Sequence, residues 1–245
     1  MEILAAAKTY EPAIITVYGK AGIGKSSLAK LCNSVYIDIE GSISQLEVAK
    51  TSKVKNYKEV FEAFRLIAES EFSTVVIDTL DALEALGIKQ ICDDHGWKTL
   101  ADGGFGQGYE ELKQLIGEFI KACKALKENF GKNVVLVAHE KIQRIGDPTA
   151  SDSYESISTN LDKRVNDMVH SLSDAVLYMT LNKVEKKHKN GKLEMLTDGT
   201  RCVMATPNTK YLAKNRFGWP DVMPIDEGGE NFKKLLQSVY PKGFE

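Results

Sequence analysis

Apolar residues along this chain cluster in two ways: short, mostly continuous runs, and longer stretches where they recur every three or four positions. The mostly apolar runs at residues 14–18, 35–40, 74–78 and 133–138 read as strands buried on both faces. Between them, Val60, Phe61, Phe64, Ile67 and Ala68 recur at helical spacing over 57–69. Further helices are expected opening at 27–31, from near Asp81, over 109–129, from a cap at Thr159 or Asn160 to about His170, and over 229–239. A weak strand is expected near Val54. Past residue 170 the rhythm changes. Residues 175–182 and 192–196 read as strands joined by a turn at Asn190-Gly191, with further strands at 201–206 and 211–213. The β-α alternation followed by hairpins predicts one α/β domain over 1–245, with 1–12 as a lead-in and 221–245 as a closing helix and tail. Its central sheet is mostly parallel, with helices on both faces and an antiparallel β-hairpin extension at one edge. Two polar segments, 93–108 and 141–160, are read as long loops of the kind that carry function.

The chemistry starts where the first run ends. Gly19, Lys20, Ala21, Gly22, Ile23, Gly24, Lys25 and Ser26 fit G-x-x-x-x-G-K-[ST] at every fixed position, and Ser27 follows. A strand before the loop and a helix after it supply the context the motif needs. The glycines let backbone N–H groups surround a phosphate, Lys25 reaches the β- and γ-phosphates, and Ser26 ligates Mg²⁺. The expected ligand is ATP with Mg²⁺. Asp78 closes its run as a second metal-holding acid, and Glu40 closes its run where a carboxylate could orient an attacking water. His139 stands at the end of a fourth run. In open α/β sheets ligands collect at such strand ends.

Composition narrows the picture. With 245 residues and a net charge of −2, the chain suits one large domain and is no polycation, so any nucleic-acid contact must come from local patches. Cys32, Cys92, Cys123 and Cys202 form no C-x-x-C pair, which suggests reduced thiols and a cytoplasmic home. Cys92 and His95 have the spacing of half a metal site, but no second half follows. No apolar stretch approaches a membrane span.

From the glycine loop to Lys214-Asn215-Arg216-Phe217-Gly218, covering about residues 13–220, the chain resembles the RecA-core ATPases. The last segment is very similar to the Lys-Asn-Arg-Phe-Gly segment of the bacterial RadA branch. As a short single-domain form, the chain is most similar to the phage nucleotide-binding proteins that assist single-strand annealing and recombination, the Sak group. The resemblance implies that Glu40 is the catalytic glutamate and His139 the γ-phosphate sensor, where RecA has glutamine. It also implies that Lys214 and Arg216 reach across to a neighbouring subunit's ATP. ATP hydrolysis would then occur within a homo-oligomeric ring or filament. No counterpart of RecA's N-terminal linking element or C-terminal domain is expected in residues 1–245.

The same resemblance lays the two long loops along single-stranded DNA. Trp97, Lys98 and Phe105 belong to the first; Lys141, Arg144, Lys163 and Arg164 flank the second. A single-stranded DNA-binding protein is an expected partner by resemblance alone. Lys183, Lys186, Lys187, Lys189 and Lys192 crowd the hairpin, either to bind phosphates or as a solvated face that protects an edge. The rival readings are a hexameric helicase motor, an ATP switch binding only proteins and, more remotely, a small-molecule kinase.

Overall fold

The computed structural model describes residues 11–30, 33–146, 153–188, 193–226 and 228–240. Its strands are β1 (Ile14–Gly19), β2 (Ser34–Asp38), β3 (Ala49–Lys50), β4 (Thr74–Asp78), β5 (Asn133–Ile145), β6 (Tyr154–Thr159), β7 (Ala175–Lys187), β8 (Leu193–Met204), β9 (Lys214–Asn215) and β10 (Val222–Ile225). The helices are α1 (Lys25–Ala29), α2 (Tyr57–Ala68), α3 (Leu80–His95), α4 (Gln107–Phe130), α5 (Lys163–Leu172) and α6 (Glu230–Val239). One sheet runs β10-β8-β7-β1-β5-β4-β2-β3, parallel from β7 to β3 and antiparallel at the β8 and β10 edge.

Both faces of the parallel part are covered, which is why its strands read as mostly apolar runs. Ile14, Tyr18, Val75 and Ile77 turn to the face carrying α2, α3, α4 and α5. Ile15, Val17 and Val76 turn to the other, with Leu28 of α1 and Phe232 and Leu236 of α6. Tyr18 is wholly buried, and its hydroxyl donates to the Leu212 carbonyl at 2.5 Å and the Ile157 carbonyl at 3.2 Å, tying the sheet to the segment that leads into β9. No helix among the described residues is long and apolar enough to cross a membrane.

Several expectations need correction. The segment 93–108 is not a long loop. α3 runs to His95, a short 3-10 turn follows at Leu100–Gly103, and α4 begins at Gln107. Its glycines close helices rather than loosen a loop: Gly96 ends α3 with φ 68° and Gly106 opens α4 with φ 81°. Asp102 accepts from the backbone of Lys98 at 2.7 Å and Thr99 at 3.0 Å, which stiffens the turn. The segment 141–160 is largely a hairpin, because β5 continues to Ile145 and pairs with β6 from Glu140↔Thr159 to Ile145↔Tyr154. Its polar composition reflects a strand pair with an open face, where Ile142 is 67% exposed. Residues 147–152 lie outside the described part.

Smaller corrections are of register. The helix after the glycine loop starts at Lys25, two residues earlier than read, and the α5 cap is Asp162. The weak strand lies at β3, not at Val54, and the two runs at 192–196 and 201–206 are one strand, β8. Residues 211–213 make only isolated bridging at Tyr211, and the strand proper is β9. The Asn190-Gly191 turn, Lys189, Lys192 and Cys32 lie outside the described residues.

Candidate nucleotide site

The glycine loop leaves the C-terminal end of β1 under steric compulsion. A Cβ on Gly19 would sit 2.2 Å from the Met179 carbonyl oxygen of β7, so no side chain fits there. Gly24 has φ 102°, a conformation side chains avoid, and delivers Lys25 into α1. Beside the loop lies a cleft of about 360 Å³. Gly22, Gly24, Lys25, Ser26, Ser27, Glu40, Asp78, Thr79 and His139 line it, so the parallel register brings β1, β2, β4 and β5 chemistry to one place.

Lys25 is buried, and its Nζ donates to the carbonyls of Gly19 at 3.0 Å and Lys20 at 2.8 Å. Burial lowers its pKa, while the negative charges of Asp78, Asp81, Glu40 and Glu140 pull the other way. Asp78 shows the converse. Burial raises its carboxyl, a hydrogen bond from the Ser26 hydroxyl opposes that, and Glu40 and Asp38 push it further up. Its Oδ2 is buried with no partner among the described residues. An orphaned carboxylate oxygen beside a serine hydroxyl is a hard-oxygen donor set, and it fits Mg²⁺, which takes one or two protein oxygens and keeps waters.

Glu40 does not close β2. The sheet ends at Asp38, whose buried carboxylate accepts from the Gly41 N–H at 2.7 Å, and Glu40 stands two residues on, exposed at the cleft. Its own N–H donates to the Asp78 carbonyl at 3.2 Å, which keeps it beside that acid. His139 is likewise not at a strand end. It sits within β5, opposite Gly19, where the strand leaves the parallel sheet for the β5–β6 hairpin. Its N–H donates to Asp81 Oδ2 at 2.8 Å, and its Nδ1 lies 3.5 Å from the same oxygen. Sequence reasoning took Asp81 only as the start of a helix. Its signal was an acid three residues beyond Asp78 in a first helical turn.

Lys214 and Arg216 lie elsewhere. β9 pairs with the start of β7, at the N-terminal end of the parallel strands. Over five residues of β1 this is about 16 Å from the glycine loop. Lys214 Nζ donates to the His170 and Ser171 carbonyls at the end of α5, at 2.7 and 3.2 Å. Arg216, just past β9, meets Asp174 at 3.3 Å with its side chain 58% exposed. Arg216 thus lies outside the short strand that carries Lys214.

The expected DNA residues lie on the turn between α3 and α4, the β5–β6 hairpin and α5. Trp97 packs partly buried against the core and stacks on His95, with centroids 4.1 Å apart. Phe105 is fully exposed, at φ 43°. Lys98 is exposed. Lys141 donates to the Leu161 carbonyl and Arg144 to the Ser153 hydroxyl. Lys163 and Arg164 are exposed on the first turn of α5, with Arg164 5.1 Å above the Tyr109 ring.

A glycine-rich loop and its buried lysine beside a cleft, with a magnesium-type donor pair next to it, suit a polyphosphate and its metal. Fold and site together define the P-loop nucleotide-binding class, of the ATPase type. Within that class the chain belongs to a family described as the AAA domain, whose family model matches residues 11–217. No curated protein matches the chain.

Proposed function

We propose that this protein is an ATP-dependent, single-stranded-DNA-binding accessory of recombination or annealing, of the RecA-core type resembling the RadA and Sak groups, working in the cytoplasm. In this reading ATP is hydrolysed at junctions between subunits of a ring or filament. The carrying observation is a separation: among the described residues no arginine lines the cleft beside Glu40, Asp78 and His139, while Lys214 and Arg216 stand at the far end of the sheet. An ATPase that stabilises charge on the departing phosphate needs such cations, and a neighbour docked head to tail can bring them.

Within one subunit the division of labour follows the geometry. The loop amides and Lys25 bind the phosphates. Ser26 and Asp78 would hold Mg²⁺, which neutralises charge developing between the β- and γ-phosphates. Glu40, exposed beside Asp78, orients a water on the γ-phosphate, and His139, braced by Asp81, reports that phosphate to the β5–β6 hairpin it opens. Phe105 and the basic residues of that hairpin and of α5 offer contacts to DNA, where a single-stranded DNA-binding protein is a fitting partner.

A second reading, an ATP switch that binds only proteins, is favoured by Trp97, whose ring is committed to the core. ATPase rate with and without single-stranded DNA separates the two. Stimulation by DNA supports the first, and a rate indifferent to DNA supports the switch.

A further inference from the structure

The glycine loop is bracketed unevenly. Through β5, β4 and β2 on one side stand His139, Asp78 and Glu40. On the other side, beyond β7, stands Arg201 of β8, opposite Leu181 and Ile225 in register. Its guanidinium lies against the bare face of Gly24. A Cβ built there would be 2.5 Å from Arg201 Nη1 and 3.7 Å from its Cζ. Arg201 is half-buried, yet its guanidinium makes no ion pair or hydrogen bond with any described residue.

A guanidinium keeps its charge at any relevant pH and carries five donors. Held half-buried without an acceptor, it bears a desolvation cost that an anion would offset. The anion expected here is the polyphosphate of the adjoining loop. Orientation follows from the acids. Ser26 and Asp78 are the residues that would hold Mg²⁺ against the departing phosphate, so the β4 side would take the γ end. The opposite flank, where Arg201 lies, faces the α-phosphate end.

We propose that Arg201 is an anion-binding residue of its own subunit's nucleotide site, donating to the α-phosphate of a bound nucleoside di- or triphosphate. The proposal rests on the nucleotide-site reading and is independent of the DNA reading. It makes Arg201 complementary to Arg216, one acting within the subunit on the phosphate that stays and the other between subunits on the phosphate that leaves.

The test compares wild type with Arg201→Met, which keeps the side chain's bulk, Arg201→Lys, which keeps the charge, and Lys25→Ala. Equilibrium binding of ATP and of ADP is measured for each, alongside the unfolding temperature without nucleotide. Arg201→Met is expected to weaken ATP and ADP alike, by roughly ten- to hundredfold. Its nucleotide-free unfolding temperature should not fall, and Arg201→Lys should recover part of the affinity. Three results would overturn the proposal: affinities within twofold of wild type, a loss confined to ATP, or a loss in both variants that tracks a lower unfolding temperature. Wild type binding no nucleotide would overturn the site reading itself.

Discussion

Lys25 shows how a single residue stores the site's readiness. Its ammonium is buried among acids and satisfied by two loop carbonyls, Gly19 and Lys20, that hold it at the mouth of the phosphate cradle. Lys25→Ala should abolish triphosphate binding, because it removes the point charge aimed at the β- and γ-phosphates. Glu40→Gln should bind ATP as wild type does and lose turnover; wild-type turnover in that variant would remove Glu40 from the water-orienting role. Asp78 predicts a pH effect. Burial raises its native pKa, so the folded protein keeps a proton that the unfolded chain releases from about pH 3.9 upward. Stability is therefore lost as pH rises from there through the raised native value. Without Mg²⁺, Asp78→Asn should unfold at a higher temperature than wild type at neutral pH. The gain should vanish below about pH 4. Equal unfolding temperatures at neutral pH would contradict the burial argument. Lys25 and Ser26 were legible in the sequence because the motif fixes their spacing, and Asp78 because it closes an apolar run. Asp81 and Arg201 were not, because their partners come from strands and turns distant along the chain.

At the level of elements, the legible parts are those whose burial is complete. β1, β2 and β4 sit inside a sheet covered on both faces, so their apolar runs announce them, and α2 and α4 show their buried stripes. β6 and the second half of β5 were read as loop because one face of that hairpin is open, which removes the apolar run. The turn between α3 and α4 was read as loop for its glycines, although those glycines serve as helix ends. The two aromatics of that segment now separate. Trp97→Ala should cost about 2–3 kcal/mol in stability, since its ring fills a partly buried site against Gly103 and His95. Phe105→Ala should leave stability unchanged and weaken single-stranded DNA binding by about 1–3 kcal/mol if a base stacks on it. Thermal unfolding and DNA titration of both variants check the split. The reverse pattern, a stable Trp97→Ala that loses DNA, would return Trp97 to the DNA surface.

For the whole molecule, the sheet carries its chemistry at two ends. The carboxyl ends of β1 and β4 carry the glycine loop with Ser26 and Asp78, while the start of β7 holds Asp174, Lys127 and Arg216. Asp174 accepts from the Ile14 N–H at 3.0 Å as well, so the far end is a firm platform, and Arg216 is its loosest member. A cation on such a platform can leave Asp174 for a neighbour's phosphate without unfolding anything. That the segment lies at the far end came from long-range pairing of β9 with β7, which no local pattern announces. The direct test of a shared site is mixing. Lys25→Ala and Arg216→Ala are each expected to be inactive alone. In a random equal mixture roughly a quarter of head-to-tail junctions join an intact P-loop to an intact arginine. The account predicts that ATPase activity reappears on mixing, at about that fraction of wild type. No recovery, in a mixture shown to co-assemble, would contradict it.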